Sequence, residues 1–288
     1  MFSGVQKSVL VVLALGAGFV WNNVFSSSPG VLTVSFLDVG QGDATFIETP
    51  NGTQILIDGG YGKKVLSELG RIMPGHDKSL DMVIATHTDS DHLGGLVEVL
   101  QRYEVEGVIE NGFRDDSSLL QEWDDEIVKQ NITSRSVQAG DRFVLDEGVY
   151  LEILGPFAED INPMPKEPNE VMVVSRLVYG ETEFLLMGDI ERPDEIRLAS
   201  SQKDIASDVL KVAHHGSKYS STDLFLEKVQ PQYSIVSAGV KNNYGHPHPE
   251  TLERLAAVGG TLFRTDQQSR ITLVSDGKTI SVKEGKVE

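Results

Sequence analysis

The run Thr86-His87-Thr88-Asp89-Ser90-Asp91-His92 places two imidazoles and two carboxylates within six consecutive residues. Before it, Leu80-Asp81-Met82-Val83-Ile84-Ala85 reads as a buried strand. After it, Leu93-Gly94-Gly95-Leu96-Val97-Glu98-Val99-Leu100 reads as the start of a helix with an apolar face. The pattern predicts a strand-to-helix turn in which a sheet edge holds polar side chains while glycines let the backbone approach closely. Asp91 or Ser90 capping the next helix is the simpler alternative for one His beside one Asp. Four potential donors this close together favour a metal site.

One turn cannot supply all the ligands of a catalytic centre, and three further segments offer more. Glu183-Phe184-Leu185-Leu186-Met187-Gly188-Asp189 is an apolar strand ending in Gly-Asp. Asp208-Val209-Leu210-Lys211-Val212-Ala213-His214-His215-Gly216-Ser217 is a strand ending in paired histidines, and Asn242-Asn243-Tyr244-Gly245-His246-Pro247-His248-Pro249 is a Pro-stiffened loop. Six of the seven histidines fall in these segments and the first run, leaving only His76 outside. Short apolar strands alternate with helical stretches over residues 61–72, 93–103, 119–130 and 249–258, which predicts an α/β layered fold. The Pro- and acid-rich segment from Phe157 to Pro168 reads as an exposed loop, packed on the body or gating substrate.

Taken with Phe36-Leu37-Asp38-Val39-Gly40-Gln41-Gly42-Asp43-Ala44 and Ile55-Leu56-Ile57-Asp58-Gly59-Gly60, these segments resemble the metallo-β-lactamase superfamily. The similarity is to the branch found as the extracellular hydrolase domain of the ComEC DNA-uptake proteins. It implies a four-layer αββα sandwich over residues 31–286 and two divalent metal ions. It further implies that His87 and Asp89 face one metal, that Asp91 and His92 face a second, and that Asp189 bridges them. One of His214 and His215 completes the second site. His215, directly before the glycine, is favoured, with His214 turned to substrate, since strand alternation would send the two side chains to opposite faces. Asp58 is expected to brace the motif loop without touching metal. Asp91, His214 and His248 are the expected catalytic residues. Two departures matter: Asp89 stands where many members have His, and residues 169–176 carry Met172 and no histidine. The resulting carboxylate-rich site suits Zn²⁺ or Mn²⁺.

The first 28 residues differ in kind. Lys7 precedes an apolar stretch from Val9 to Trp21, followed by a Ser-rich link to Pro29-Gly30. A signal peptide and an uncleaved membrane anchor both fit and both export the domain, whereas a buried N-terminal helix would be apolar on every face. There is no cysteine, which excludes disulfides and thiolate ligands. The net charge of −18 opposes binding to long duplex DNA. Metal cations, with Lys211, Arg176, Lys218 and Lys241 in or beside the motifs, would attract a smaller phosphodiester. The expected function is hydrolysis of a phosphodiester substrate, single-stranded DNA included, by water activated between two cations. Hydrolysis of another ester, lactone or lactam is the first alternative, and a non-catalytic metal-binding module anchored to the membrane is the second. The chain carries no multi-span segment, so any role in DNA uptake implies a separate membrane channel partner.

Overall fold

The computed structural model describes residues 30–161 and 170–283; the N-terminal 28 residues and most of the acidic loop read from the sequence lie outside them. One sheet comprises β1 (Leu32–Phe36), β2 (Thr45–Glu48), β3 (Gln54–Ile57), β4 (Ser79–Ile84), β5 (Glu104–Glu110) and β6 (Thr133–Ser136), with β14 (Ile271–Ser275) and β15 (Ile280–Lys283) joined at the β1 edge. The other comprises β7 (Arg142–Asp146), β8 (Val149–Gly155), β9 (Val174–Tyr179), β10 (Thr182–Leu186), β11 (Val209–Lys211), β12 (Tyr233–Val236) and β13 (Thr261–Arg264) in sequential order. Both sheets switch from antiparallel to parallel pairing part-way across: β3 to β6 run parallel, as do β10 to β13.

The described helices are α1 (Lys64–Ile72), α2 (Ser90–Leu100), α3 (Ser118–Gln130), α4 (Arg192–Ser200), α5 (Asp223–Val229), α6 (Pro249–Val258) and the short α7 (Thr265–Gln268). Strand alternation explains the layering. Ile55 and Ile57 of β3 point between the sheets while Leu56 points under the helices, and in β10 Phe184 and Leu186 point inward while Leu185 points outward. Strands buried on both faces give the unbroken apolar runs seen in the sequence. Three cores result. One lies between the sheets, one beneath α1–α3, and one beneath α4–α6, so the four-layer αββα arrangement expected from the sequence is the observed one.

Two local expectations are corrected. The helix expected from Leu93 begins at Ser90, so Asp91 and His92 lie in its first turn. Asp89 occupies its N-cap with extended backbone and no capping hydrogen bond from its side chain, which rules out Asp91 or Ser90 as the cap. His214 and His215 do not continue β11. They form a tight 3₁₀ turn, Ala213–Gly216, in which both adopt left-handed backbone angles.

The loop after β3 and the first turns of α2 meet backbone to backbone. Gly59 N donates to His92 O at 2.8 Å, and Gly95 N donates to Gly60 O at 2.7 Å. A β-carbon on Gly95 would fall 1.9 Å from Gly59 O, whereas one on Gly94 would make ordinary contacts, the nearest at 3.5 Å. Gly95→Ala is therefore expected to lose about 1–3 kcal/mol of stability by overpacking, and Gly94→Ala to stay within about 1 kcal/mol of wild type. Urea unfolding of the two variants checks this, and equal midpoints would contradict it.

Candidate metal centre

The motif segments leave the carboxyl ends of neighbouring strands, so their side chains converge at one end of the sandwich. Asp58 follows β3, the run 87–92 follows β4, Asp189 follows β10, the His214-His215 turn follows β11, and the 242–248 loop follows β12. His87, His92, His215 and Asp189 are all buried. His92 Nε2 and His215 Nε2 each lie 3.3 Å from Asp189 Oδ2, and His215 Nε2 lies 3.3 Å from Asp91 Oδ2. Metal-sized groupings form from His87, His92 and Asp189, and from Asp91, His92 and His215. Asp89 stands at the rim, 37% exposed, with Oδ2 3.6 Å from His87 Nε2.

The paired histidines sit in a turn, so strand alternation does not send them to opposite faces, and both bring Nε2 towards Asp189 Oδ2. His215 is buried and aims Nε2 at Asp91 and Asp189. His214 is partly exposed; its Nε2 lies 3.8 Å from Asp189 and its Nδ1 3.3 Å from Glu191 Oε1. Asp58 braces the loop through Thr86 N at 2.9 Å and Thr86 Oγ1 at 2.7 Å, and its Oδ2 meets His92 Nδ1 at 2.8 Å. In the loop after β12, Asn242 Nδ2 donates to His246 O at 2.6 Å and its Oδ1 accepts from His246 N at 3.0 Å. His246 has its ring centroid 5.5 Å from that of His214 and 6.1 Å from that of His215. His248 packs against His246 at 5.0 Å. The sequence reading singled out His248, but His246 is the loop histidine placed against the pair.

Two of the expected cations are already committed. Lys211 is buried, with Nζ 2.6 Å from Asp43 Oδ2, and Arg176 forks onto Glu152 Oε2 at 3.1 and 2.8 Å. Lys218, by contrast, is exposed. Asp43 is the functional candidate that sequence reasoning passed over. Its signal was the Gly40-Gln41-Gly42 run before it: Gly42 has φ +114°, and a β-carbon there would lie 2.1 Å from Asp91 O.

Charge and burial define what this cluster accepts. His87 Nε2, His92 Nε2, His215 Nε2 and Asp189 Oδ1 are buried without hydrogen-bond partners, although desolvated polar atoms normally find one. Burial opposes ionisation of Asp189, but His215 and His92 outweigh it and hold the carboxyl well below its ordinary range. Burial likewise disfavours the charged forms of His92 and His215, yet Asp189, with Asp58 or Asp43, raises both well above an ordinary imidazole. The carboxylates thus draw positive charge to convergent imidazole nitrogens, a demand that a divalent cation meets.

The family model for the metallo-beta-lactamase superfamily matches residues 37–240, more than half of the chain. The chain belongs to the metallo-beta-lactamase superfamily. Family and donor set together make it a metal-dependent hydrolase. It is similar to "ComE operon protein 3" of Bacillus subtilis, with 32% identity over 261 residues, covering 83% of this chain and 32% of that protein. It is also similar to "Competence protein ComA" of Neisseria gonorrhoeae, with 29% identity over 260 residues, covering 87% of this chain and 33% of the relative. The chain therefore spans about a third of the length of these relatives. Among solved structures, the metallo-beta-lactamase fold protein YhfI of Bacillus subtilis superposes with a TM-score of 0.58 at 11% identity, covering 85% of this chain and all of that one. At that identity the likeness concerns the fold alone.

In this superfamily member His246 carries a specific electrostatic signature. Burial, then the charges of His215, His214 and His248, push it down to about 4 from an ordinary 6.5. The unfolded chain then takes up the proton first. His246 consequently contributes stability above pH 6.5 that is lost as the pH falls towards 4. In metal-free protein, the His246 ring observed by NMR is expected to titrate near pH 4. A midpoint close to that of a free imidazole would contradict the packing described.

Proposed function

We propose that the chain is an exported phosphodiesterase acting on single-stranded nucleic acid, with two divalent cations held at the cluster. The observation carrying this reading is the groove that adjoins the cluster. Glu191, which meets His214 Nδ1, also lines an open groove of about 390 Å³ together with Arg192, Lys218, Tyr219, Glu250 and Arg254. Tyr219 is exposed, and Lys218 Nζ lies 5.1 Å from its ring centroid. On the loop after β12, Tyr244 is exposed and stacks on His246 at 5.7 Å, and exposed Tyr61 stands close enough to raise the Tyr244 hydroxyl.

Exposed aromatics beside cationic side chains suit a single strand, because any base has a face to stack and the phosphates need only local positive charge. The −18 net charge and the commitment of Lys211 and Arg176 to internal pairs disfavour a long duplex. The competence named in the Neisseria gonorrhoeae relative supports nucleic acid as the substrate class.

In this reading Asp91, His92 and His215 would hold one cation and His87 and Asp89 the other, with Asp189 within reach of both groups. When bound, the cations would supply Lewis-acid charge for activating water and offsetting negative charge on the phosphoryl oxygens. His214 Nε2 faces the cleft beside Asp189, with Glu191 near Nδ1, and there it can pass a proton to the leaving oxygen. His246, neutral and backed by His248, is placed to donate a hydrogen bond to a phosphate oxygen. The carboxylate-rich first site, short of an imidazole where Met172 stands, suits Mn²⁺ as well as Zn²⁺.

Among the described residues no helix is long and apolar enough to cross a membrane. Export in this reading rests on the apolar run from Val9 to Trp21, and a role in DNA uptake would require a membrane channel partner.

Purified protein supplied with Zn²⁺ or Mn²⁺ is expected to cleave single-stranded DNA and bis-p-nitrophenyl phosphate, duplex DNA more slowly, and a chromogenic β-lactam negligibly. Lactam turnover well above phosphodiester turnover would refute the substrate class.

A further inference from the structure

The buried pair Asp43–Lys211 is used by none of the steps above, yet it touches the ligand-bearing segments of both sheets. Asp43 lies between β1 and β2, while Lys211 ends β11 on the opposite sheet. Both side chains are almost wholly buried, at 6% and 3% exposed. Lys211 Nζ donates to Asp43 Oδ2 at 2.6 Å and to Val212 O at 3.1 Å. The second carboxylate oxygen, Asp43 Oδ1, lies 3.2 Å from His215 Nδ1, which also meets Ser237 O at 3.0 Å. Asp43 is tied to the first sheet's motifs through its backbone as well: its N donates to Asp91 O at 3.2 Å, and its O accepts from Gly60 N at 2.8 Å.

A burial this complete is costly for each ion unless geometry repays it, so an ion pair is a poor choice if stability alone were at stake. Its placement supplies another reason. Nδ1 of His215 donates to Ser237 O, with Asp43 Oδ1 as a second oxygen close by, so a hydrogen stays on Nδ1 and Nε2 is left to meet a cation beside Asp91 and Asp189. Asp58 stands behind His92 Nδ1 in the same way. The two central imidazoles are thus each backed by a carboxylate, but only the one behind His215 carries its own buried cation.

We infer that Asp43, held in register by Lys211, is the positioning residue for His215, fixing its tautomer and ring orientation towards a divalent cation. Lys211 anchors the carboxylate so that one oxygen faces the ring, and the Asp43 backbone keeps that oxygen aligned with Asp91. The inference rests on His215 being a ligand, as proposed above.

The test is Zn²⁺ titration calorimetry of wild type, His215→Ala, Asp43→Asn and the double variant Asp43→Asn/Lys211→Met, with thermal unfolding of each metal-free protein. The His215→Ala variant identifies the ion that depends on His215. Asp43→Asn is expected to bind that ion about 10–100-fold more weakly and to leave any other ion unchanged. It also strands the Lys211 charge, so it should be less stable. The double variant removes the stranded charge and should recover stability while keeping the weakened affinity. Nitrogen NMR of the Zn²⁺-loaded wild type should show the His215 ring hydrogen on Nδ1. Wild-type affinity in either Asp43 variant, or affinity returning with stability in the double variant, would overturn the inference. Retention of every ion by His215→Ala would overturn the ligand assignment and the inference together. A wild-type stoichiometry of one would refute only the two-cation reading, because Asp43→Asn must still weaken the ion that His215 holds.

Discussion

Buried imidazoles held from behind by carboxylates organise the whole end of this sandwich. His92 and His215 come from different sheets and lie with ring centroids 5.3 Å apart over Asp189. His92 meets Asp58 on its Nδ1 side, and His215 donates from Nδ1 to Ser237 O with Asp43 Oδ1 beside it. Placing such groups out of water is unfavourable unless every charge has a counterpart. The fold answers by bringing strand ends together within hydrogen-bond distance, through loops in which Gly42, Gly59 and Gly95 leave no room for a side chain. The three apolar cores fix the distance between the sheets, and that spacing brings His92 and His215 within reach of one carboxylate.

Local pattern made much of this legible. The short apolar runs alternating with helical stretches pointed to an α/β layered fold, the resemblance to the metallo-β-lactamase superfamily implied the αββα sandwich, and the acid and histidine runs at strand ends pointed to where the cluster forms. The helix over Pro249–Val258 lies where the sequence placed it, because Pro249 and the residues before it mark its start. The start of α2 was misplaced because Asp91 and His92 break the apolar period. They turn their side chains to the cleft while their backbone already belongs to the helix. The left-handed turn at His214 and His215 was invisible for a different reason: it depends on Ser217 N reaching back to His214 O and His214 N reaching across to Gly188 O.

What the sequence hid most completely was long-range pairing. Asp43 and Lys211 are 168 positions apart, and nothing local marks them as partners. The lysine looked like a surface charge available to a phosphate, but it neutralises an internal carboxylate. Arg176 was misleading in the same way, since its fork is filled by Glu152 from the adjacent strand. With these two withdrawn, positive potential near the cleft must come from any bound cation and from exposed residues such as Lys218, a distribution better matched to a short or single strand than to a duplex.

The central claim is that the convergent nitrogens and carboxylates form a centre for divalent cations. Anomalous diffraction from crystals grown with Zn²⁺ or Mn²⁺ tests it most directly. The account predicts peaks beside Asp189, one among Asp91, His92 and His215 and one against His87 and Asp89. Metal peaks confined to surface carboxylates, with the His92 and His215 Nε2 atoms hydrogen-bonded to water or protein, would contradict it.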